Sequence, residues 1–272
     1  LDNDAIPDFV FVGKNGRSLS ESSVDKSLKT LNLSIGDIDK AIPFDYDGDG
    51  ISELLVRSND KWIITSMDNS LSKELINDAD YTFAKVLDIN NDGLEDIVFI
   101  SKYAVAKCFI NRGNLIFDEK IVDSIQKYIS DLISEYALGF ELKDIDICGS
   151  DYNNDSYNDL FVNFDLIWNT VVPVPGVFPP IYQPAEGKNN IIMRLLGNGN
   201  DYRADCLSKH DLYDRQILSD DFDNDGIQEI AVVINGNEIQ INRKKKSITR
   251  SGVKVALKVM LEKKVNGIFY IV

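Results

Sequence analysis

A chain of 272 residues, 44% hydrophobic and 10% aromatic, carries enough apolar material for a large core, which excludes a disordered chain. With 44 acidic residues against 29 basic ones, the formal net charge is −15, which argues against nucleic acid or an anionic membrane as the main partner and favours cations. No apolar run approaches the roughly 18 residues needed to cross a bilayer, so no membrane insertion is expected.

The chain opens at Leu1 and nothing there resembles a signal peptide, as expected of a processed or trimmed segment whose targeting signal is missing. Its first residues, DNDAIPDFVFV from Asp2, are one copy of a phrase that returns along the chain: Asp-x-Asp/Asn-x-Asp-Gly-x-x-Asp/Glu, then an apolar β-branched run. The strand KAIPF leads into the clearest copy, DYDGDGISELLV from Asp45. FAKVL leads into DINNDGLEDIVF from Asp88. Short apolar runs bounded by turn residues read as buried strands, so each acidic loop, near 2–8, 45–53, 88–96, 151–159 and 221–229, joins two of them.

Residues 121–138, IVDSIQKYISDLISEYAL, break the pattern: Ile121, Ile125, Tyr128, Ile129, Leu132, Ile133 and Tyr136 recur at three- and four-residue steps, which predicts an amphipathic helix inserted between strands. DYNNDSYNDLFV follows from Asp151. The stretch 164–190 is then expected as a long insert loop, because VVPVPGVFPPIYQP within it holds five of the seven prolines and cannot be a central strand. Its aromatic content, with Trp168, Phe178 and Tyr182, makes it a candidate contact surface. The last copy, DFDNDGIQEIAVV, starts at Asp221. The basic run from Arg243 to Lys246 reads as a solvated turn.

Three or four carboxylates within nine residues repel one another unless a hard cation fills the centre, and oxygens at alternate positions suit the six to eight ligands of calcium. The expected ligands in the clearest copy are the side chains of Asp45, Asp47, Asp49 and Glu53, with the main-chain carbonyl of Ile51. The matching sets are Asp88, Asn90, Asp92, Leu94 and Asp96; Asp151, Asn153, Asp155, Tyr157 and Asp159; and Asp221, Asp223, Asp225, Ile227 and Glu229. The opening copy offers Asp2, Asp4, Ile6 and Asp8. About three to five calcium ions per chain are expected on this basis. Gly50, Gly93 and Gly226 allow a positive φ after the third ligand, whereas Ser156 and Ala5 stand at that place in the other two copies and predict weaker sites. An EF-hand is excluded, because its twelfth-position Glu is replaced by Val56, Phe99, Val162 and Val232 in the apolar runs.

Taken together, the loops resemble the FG-GAP or VCBS-type repeats of integrin α-subunit propellers and of many bacterial surface and secreted proteins, over Asp2 to about Val233. The Gly-Ala-Pro half of that signature is absent, with Phe11, Val12 and Gly13 nearest to it. The resemblance implies an all-β propeller with about five recognisable blades in a single domain over 1–272, each acidic loop linking the first two strands of a blade and binding calcium. Either GIFYIV, residues 267–272, closes a five-bladed ring, or the chain is a fragment of a seven-bladed one. The implied function is a calcium-stabilised, extracellular or cell-surface module that recognises a protein or glycan partner within a larger polypeptide or complex. The alternatives are a propeller component of a secreted toxin complex and a carbohydrate-active lyase or glycosidase. Catalysis has little to draw on: His210 is the lone histidine, and no nucleophile-elbow, zinc-protease or phosphate-loop motif occurs. Cys108, Cys148 and Cys206, odd in number and widely spaced, read as core thiols, with a bridge between one pair left open.

Overall fold

The computed structural model describes residues 9–12, 18–21, 28–31, 33, 35–122, 124–132, 139–152, 155–197, 202–210, 215–220, 229–234, 238–243 and 246–250. Asp2, Asp4, Ile6 and Asp8, Asn153, the segment 221–228 and the proposed closing strand 267–272 lie outside the described residues.

The strands form five antiparallel sheets, each built from strands consecutive in the chain. The first holds β1 (Phe9–Val12), β2 (Ser18–Glu21) and β3 (Leu28–Leu31). The second holds β4 (Ile38–Phe44), β5 (Glu53–Ser58), β6 (Lys61–Thr65) and β7 (Ser72–Asn77). The third holds β8 (Tyr81–Leu87), β9 (Asp96–Ser101), β10 (Ala106–Asn111) and β11 (Phe117–Val122). After helix α1 (Ser124–Leu132), the fourth holds β12 (Gly139–Ser150), β13 (Asp159–Pro173), β14 (Tyr182–Gly197) and β15 (Tyr202–His210). The fifth holds β16 (Arg215–Asp220), β17 (Glu229–Ile234), β18 (Glu238–Arg243) and β19 (Lys246–Arg250). The architecture is all-β.

Successive sheets meet through their first strands: β1 lies against β4, β4 against β8, β8 against β12, and β12 against β16. This arrangement explains why the second strands are continuously apolar. All six residues of β9 are buried, because its alternating side chains enter two different cores. Ile97 and Phe99 join Phe44, Leu55, Trp62 and Ile64 of the second sheet, while Val98 and Ile100 join Leu160, Val162, Phe164 and Leu166 of β13. Phe161, on the opposite face of β13, packs with Ile217, Ile230 and Val232 of the fifth sheet. The outer strands β7 and β11 are largely exposed, so burial fades from the second strand outward. Within the second core, Trp62 and Phe99 have ring centroids 5.6 Å apart, and Trp62 Nε1–H donates to the Tyr81 carbonyl at 2.8 Å.

Two expectations need correction. The helix is shorter than 121–138: pairing of Lys107 with Ile121 and of Ala106 with Val122 keeps those two residues in β11, where Ile121 is 66% exposed. The helix proper starts at Ser124 and buries Ile125 and Ile129 in the core between the third and fourth sheets; residues 133–138 lie outside the described residues.

The stretch 164–190 is not a loop but most of a long hairpin. β13 and β14 pair residue for residue from Leu160 with Leu195 to Pro173 with Tyr182, and only Val174 to Ile181 turns between them. Proline is tolerated because the ribbon outgrows its sheet: β12 stops pairing at Asn169 and β15 at Asn190. Pro175, Pro179 and Pro180 sit in the turn, and Pro173 and Pro184 in the ribbon beside it, where no outer strand requires an N–H. Of the basic run, Arg243 and Lys246 pair at the end of the β18–β19 hairpin, and Lys244 and Lys245 lie outside the described residues.

Candidate metal centre

Three acidic segments with described residues join the first and second strands of neighbouring sheets: 45–52 between β4 and β5, 88–95 between β8 and β9, and 151–158 between β12 and β13. All three therefore lie at the same end of their sheets. The repeated spacing becomes repeated geometry. In the first loop Asp45 accepts the Gly48 N–H at 2.8 Å on Oδ1 and the Gly50 N–H at 2.9 Å on Oδ2. In the second, Asp88 accepts Asp92 N–H at 3.3 Å and Gly93 N–H at 2.9 Å; in the third, Asp151 accepts Asp155 N–H and Ser156 N–H, both at 3.0 Å. The third ligand of each loop accepts the N–H two residues on: Asp49 from Ile51 at 2.7 Å, Asp92 from Leu94 at 3.0 Å and Asp155 from Tyr157 at 3.0 Å. Gly50 and Gly93 take φ of 83° and 87°, and Ser156 is driven to 71°, a conformation that costs a side-chain-bearing residue.

Asp45, Asp47 and Asp49 each bring one carboxylate oxygen to within 4.8 Å of the other two. In the second loop Asn90 stands at the middle place and donates to Asp92 at 2.8 Å, easing the repulsion there. The final carboxylate of each loop is the first residue of the second strand, and it lies beneath the loop. Glu53 has Oε2 buried without a hydrogen-bond partner, and its pKa is pushed up to about 7 by desolvation and then by the charges of Asp47, Asp49 and Asp45. Asp96, fully buried, accepts Ile89 N–H at 2.8 Å and Asn111 N–H at 2.7 Å; burial still raises its pKa to about 6. Asp159, also fully buried, accepts Gly197 N–H at 2.9 Å on Oδ1, while its Oδ2 is buried with no partner. The difference from Asp96 is local: Tyr152 N–H, the counterpart of Ile89 N–H, donates to the Ser150 carbonyl at 2.8 Å, although its dipole still favours ionised Asp159. Desolvation and the charges of Asp155 and Asp151 raise the Asp159 pKa.

No family model and no curated protein matches the chain.

Among the described residues, one group of three acidic side chains converges closely enough to suit a hard cation, Asp45, Asp47 and Asp49. Glu53 and Asp159 each keep a buried, unpartnered oxygen beside a loop that already concentrates carboxylates, and an oxygen-coordinated divalent ion would complete the bonding that protein groups leave open. Asp45, Asp47, Asp49 and Glu53 would hold it in the first loop; Asp88, Asn90, Asp92 and Asp96 in the second; Asp151, Asp155 and Asp159 in the third. The main-chain residues Ile51, Leu94 and Tyr157 stand in the turns of these loops. Of the remaining expected ligands, Asp221, Asp223, Asp225 and Ile227 are outside the described residues, and Glu229 is placed only as the first residue of β17.

Residues missed by sequence reasoning tie one loop to the next. Glu95 Oε2 accepts the Asp45 N–H at 2.8 Å, and Asn111 Nδ2 donates to the Tyr46 carbonyl at 2.7 Å and to the Glu95 carbonyl at 3.0 Å. Asn158 Nδ2 donates to the Asp88 carbonyl at 2.6 Å and to Asn91 Oδ1 at 3.2 Å. Glu95 and Asn158 each immediately precede a final carboxylate, so the repeat register marks their place, but Ser52 and Gln228 at the equivalent places share no residue type with them that would signal the role. Nothing in the sequence marks Asn111.

Cys108 and Cys148 offer no reactive alternative, and the Cys206 side chain lies outside what the structure describes. Cys108 and Cys148 are free, and burial pushes both thiols up to about 12, which keeps them protonated.

Proposed function

We propose that this chain is a calcium-stabilised β-propeller, or an arc of one, of the FG-GAP or VCBS type, working outside the cell as a binding or scaffold module. The observation that carries this reading is the recurrence of one hydrogen-bonded acidic loop at the same end of three consecutive sheets, with spare buried carboxylate oxygens at Glu53 and Asp159. Adjacent first strands in successive meanders support the propeller, since radial repetition of four-stranded sheets puts first strands side by side.

Calcium in this reading is structural. It neutralises the loops, whose mutual repulsion otherwise opposes folding, and locks the turns between the first two strands. Partly exposed loops of this kind fit the weak sites of extracellular modules, whose dissociation constants are about 0.1–1 mM calcium. The surface offered to a protein or glycan partner is the tip of the β13–β14 ribbon, where Phe178 is 95% exposed beside exposed Val177, Ile181 and Tyr182.

A calorimetric calcium titration tests the reading. It predicts about three to five ions per chain, with one lost in Asp45→Ala. Absence of calcium binding at 5 mM would remove it. Capture of protein and glycan candidates with and without calcium, using the wild type and Phe178→Ser, then tests the ribbon.

A further inference from the structure

We infer that cation binding in these loops is coupled from one loop to the next, with Asn158 linking the third to the second, and Glu95 and Asn111 linking the second to the first. This rests on the calcium reading and adds to it a way in which occupancy at one site sets affinity at another.

The two junctions are built alike. In each, the residue just before a loop's final carboxylate reaches back to the first ligand of the preceding loop. Asn158, next to Asp159, donates its side-chain amide to the carbonyl of Asp88 at 2.6 Å and its main-chain N–H to the carbonyl of Ile89 at 2.9 Å. The third loop is held in return, because Asn91 Nδ2 donates to the Ser156 carbonyl at 2.8 Å. Glu95, next to Asp96, accepts the N–H of Asp45 at 2.8 Å. Asn111 closes the same junction: its N–H is held by Asp96 Oδ1, and its amide bridges Tyr46 and Glu95.

An ion in the third loop fixes Asp159 and therefore Asn158. Fixing Asn158 orders Asp88 and Ile89, so the second loop has less conformational freedom left to lose when its own ion binds. The second junction transmits the same effect through the Asp45 N–H held by Glu95 and the Asn111 amide that bridges Tyr46 and Glu95. Coupling of this kind is reciprocal, so an ion in the first loop must also favour the others.

The test is a double-mutant cycle read by calcium calorimetry on the whole chain. Asp151→Ala, which disables the third loop, should remove one ion and weaken the remaining sites about fivefold or more. In the Asn158→Ala background the same Asp151→Ala change should alter the remaining affinities clearly less than it does in the wild type, because the amide bond to Asp88 is gone while the main-chain bond to Ile89 and the Asn91 bond to Ser156 remain. The proposal is overturned if Asp151→Ala removes one ion and leaves the other affinities unchanged while Asn158 is present. That outcome leaves the calcium reading standing, whereas a wild type that binds no calcium sinks both. Should Asn158→Ala fail to fold in chelator, the cycle of Asp88→Ala with Glu95→Ala, which removes the acceptor of the Asp45 N–H, tests the other junction by the same criterion.

Discussion

Asn158 Nδ2 lies 2.6 Å from the carbonyl oxygen of Asp88, seventy residues earlier in the chain. The two residues belong to acidic loops of adjacent sheets, and Leu87, just before Asp88, meanwhile packs against Gly149, just before the third loop. Neighbouring sheets are thus joined twice, by apolar packing between their faces and by polar bonds between their loops.

Asp49→Ala should lower stability far more with calcium present than without it. Asp49 is exposed and accepts a single N–H from Ile51, a local bond worth about 1 kcal/mol. In the calcium-bound protein the variant loses a ligand and one ion. Denaturant melts with and without chelator check this, and an equal loss in both conditions would count against a cation at the first loop.

Proton and cation should compete for the same carboxylates. Without a cation, Glu53 titrates at about 7 and Asp96 at about 6, above their ordinary 4.5 and 3.8. Between those values the native chain binds more protons than the unfolded chain. The stability these groups contribute is therefore fully present below the ordinary values and is lost as pH rises through about 6 and then 7. Chelated protein should melt at a lower temperature at pH 7.5 than at pH 5.5, and added calcium should raise the melting temperature more at pH 7.5. Glu53→Gln should flatten the first of these slopes. A calcium effect equal at both pH values would contradict the competition.

Phe99→Ala and Phe178→Ala should differ sharply. Phe99 is fully buried between Trp62 and Phe109, so its truncation should cost about 3–5 kcal/mol of unfolding free energy. Phe178 is at the exposed ribbon tip, and its loss should stay within about 0.5 kcal/mol. Equilibrium denaturation of both variants gives the comparison.

Gly187→Ala should destabilise the ribbon although glycine is a poor strand residue. Gly187 pairs with Trp168, whose indole lies so close over it that an added Cβ would overlap the ring. Displacing a partly buried indole should cost about 1–3 kcal/mol. Gly149→Ala meets only the movable end of Leu87 and should cost less. Melting both variants checks the ranking.

The acidic loops were legible because a ligand spacing is a local property: Asp45, Asp88 and Asp151 each precede a strand whose first residue is the final carboxylate, Glu53, Asp96 or Asp159. The buried second strands were legible for a related reason, since a face on each side leaves no room for polar alternation. Pro173 and Pro184 misled because proline argues against a central strand only where a neighbour needs the N–H, and β12 and β15 end before reaching them. Ile121 misled because it falls on the helical periodicity, but its pairing with Lys107 places it in β11. The inter-loop roles of Glu95 and Asn158 depend on which loops are neighbours, and only the stacking of the sheets supplies that.

Thermal unfolding in 5 mM calcium against excess chelator, with the bound ions counted by calorimetry, addresses the proposed calcium sites most directly. At 5 mM calcium and a Kd of about 0.1–1 mM, each bound site adds about 1–2 kcal/mol to the native state. The expected result is a marked rise in melting temperature with three or more ions bound, one for each described loop. An unchanged melting temperature with no bound calcium would contradict it.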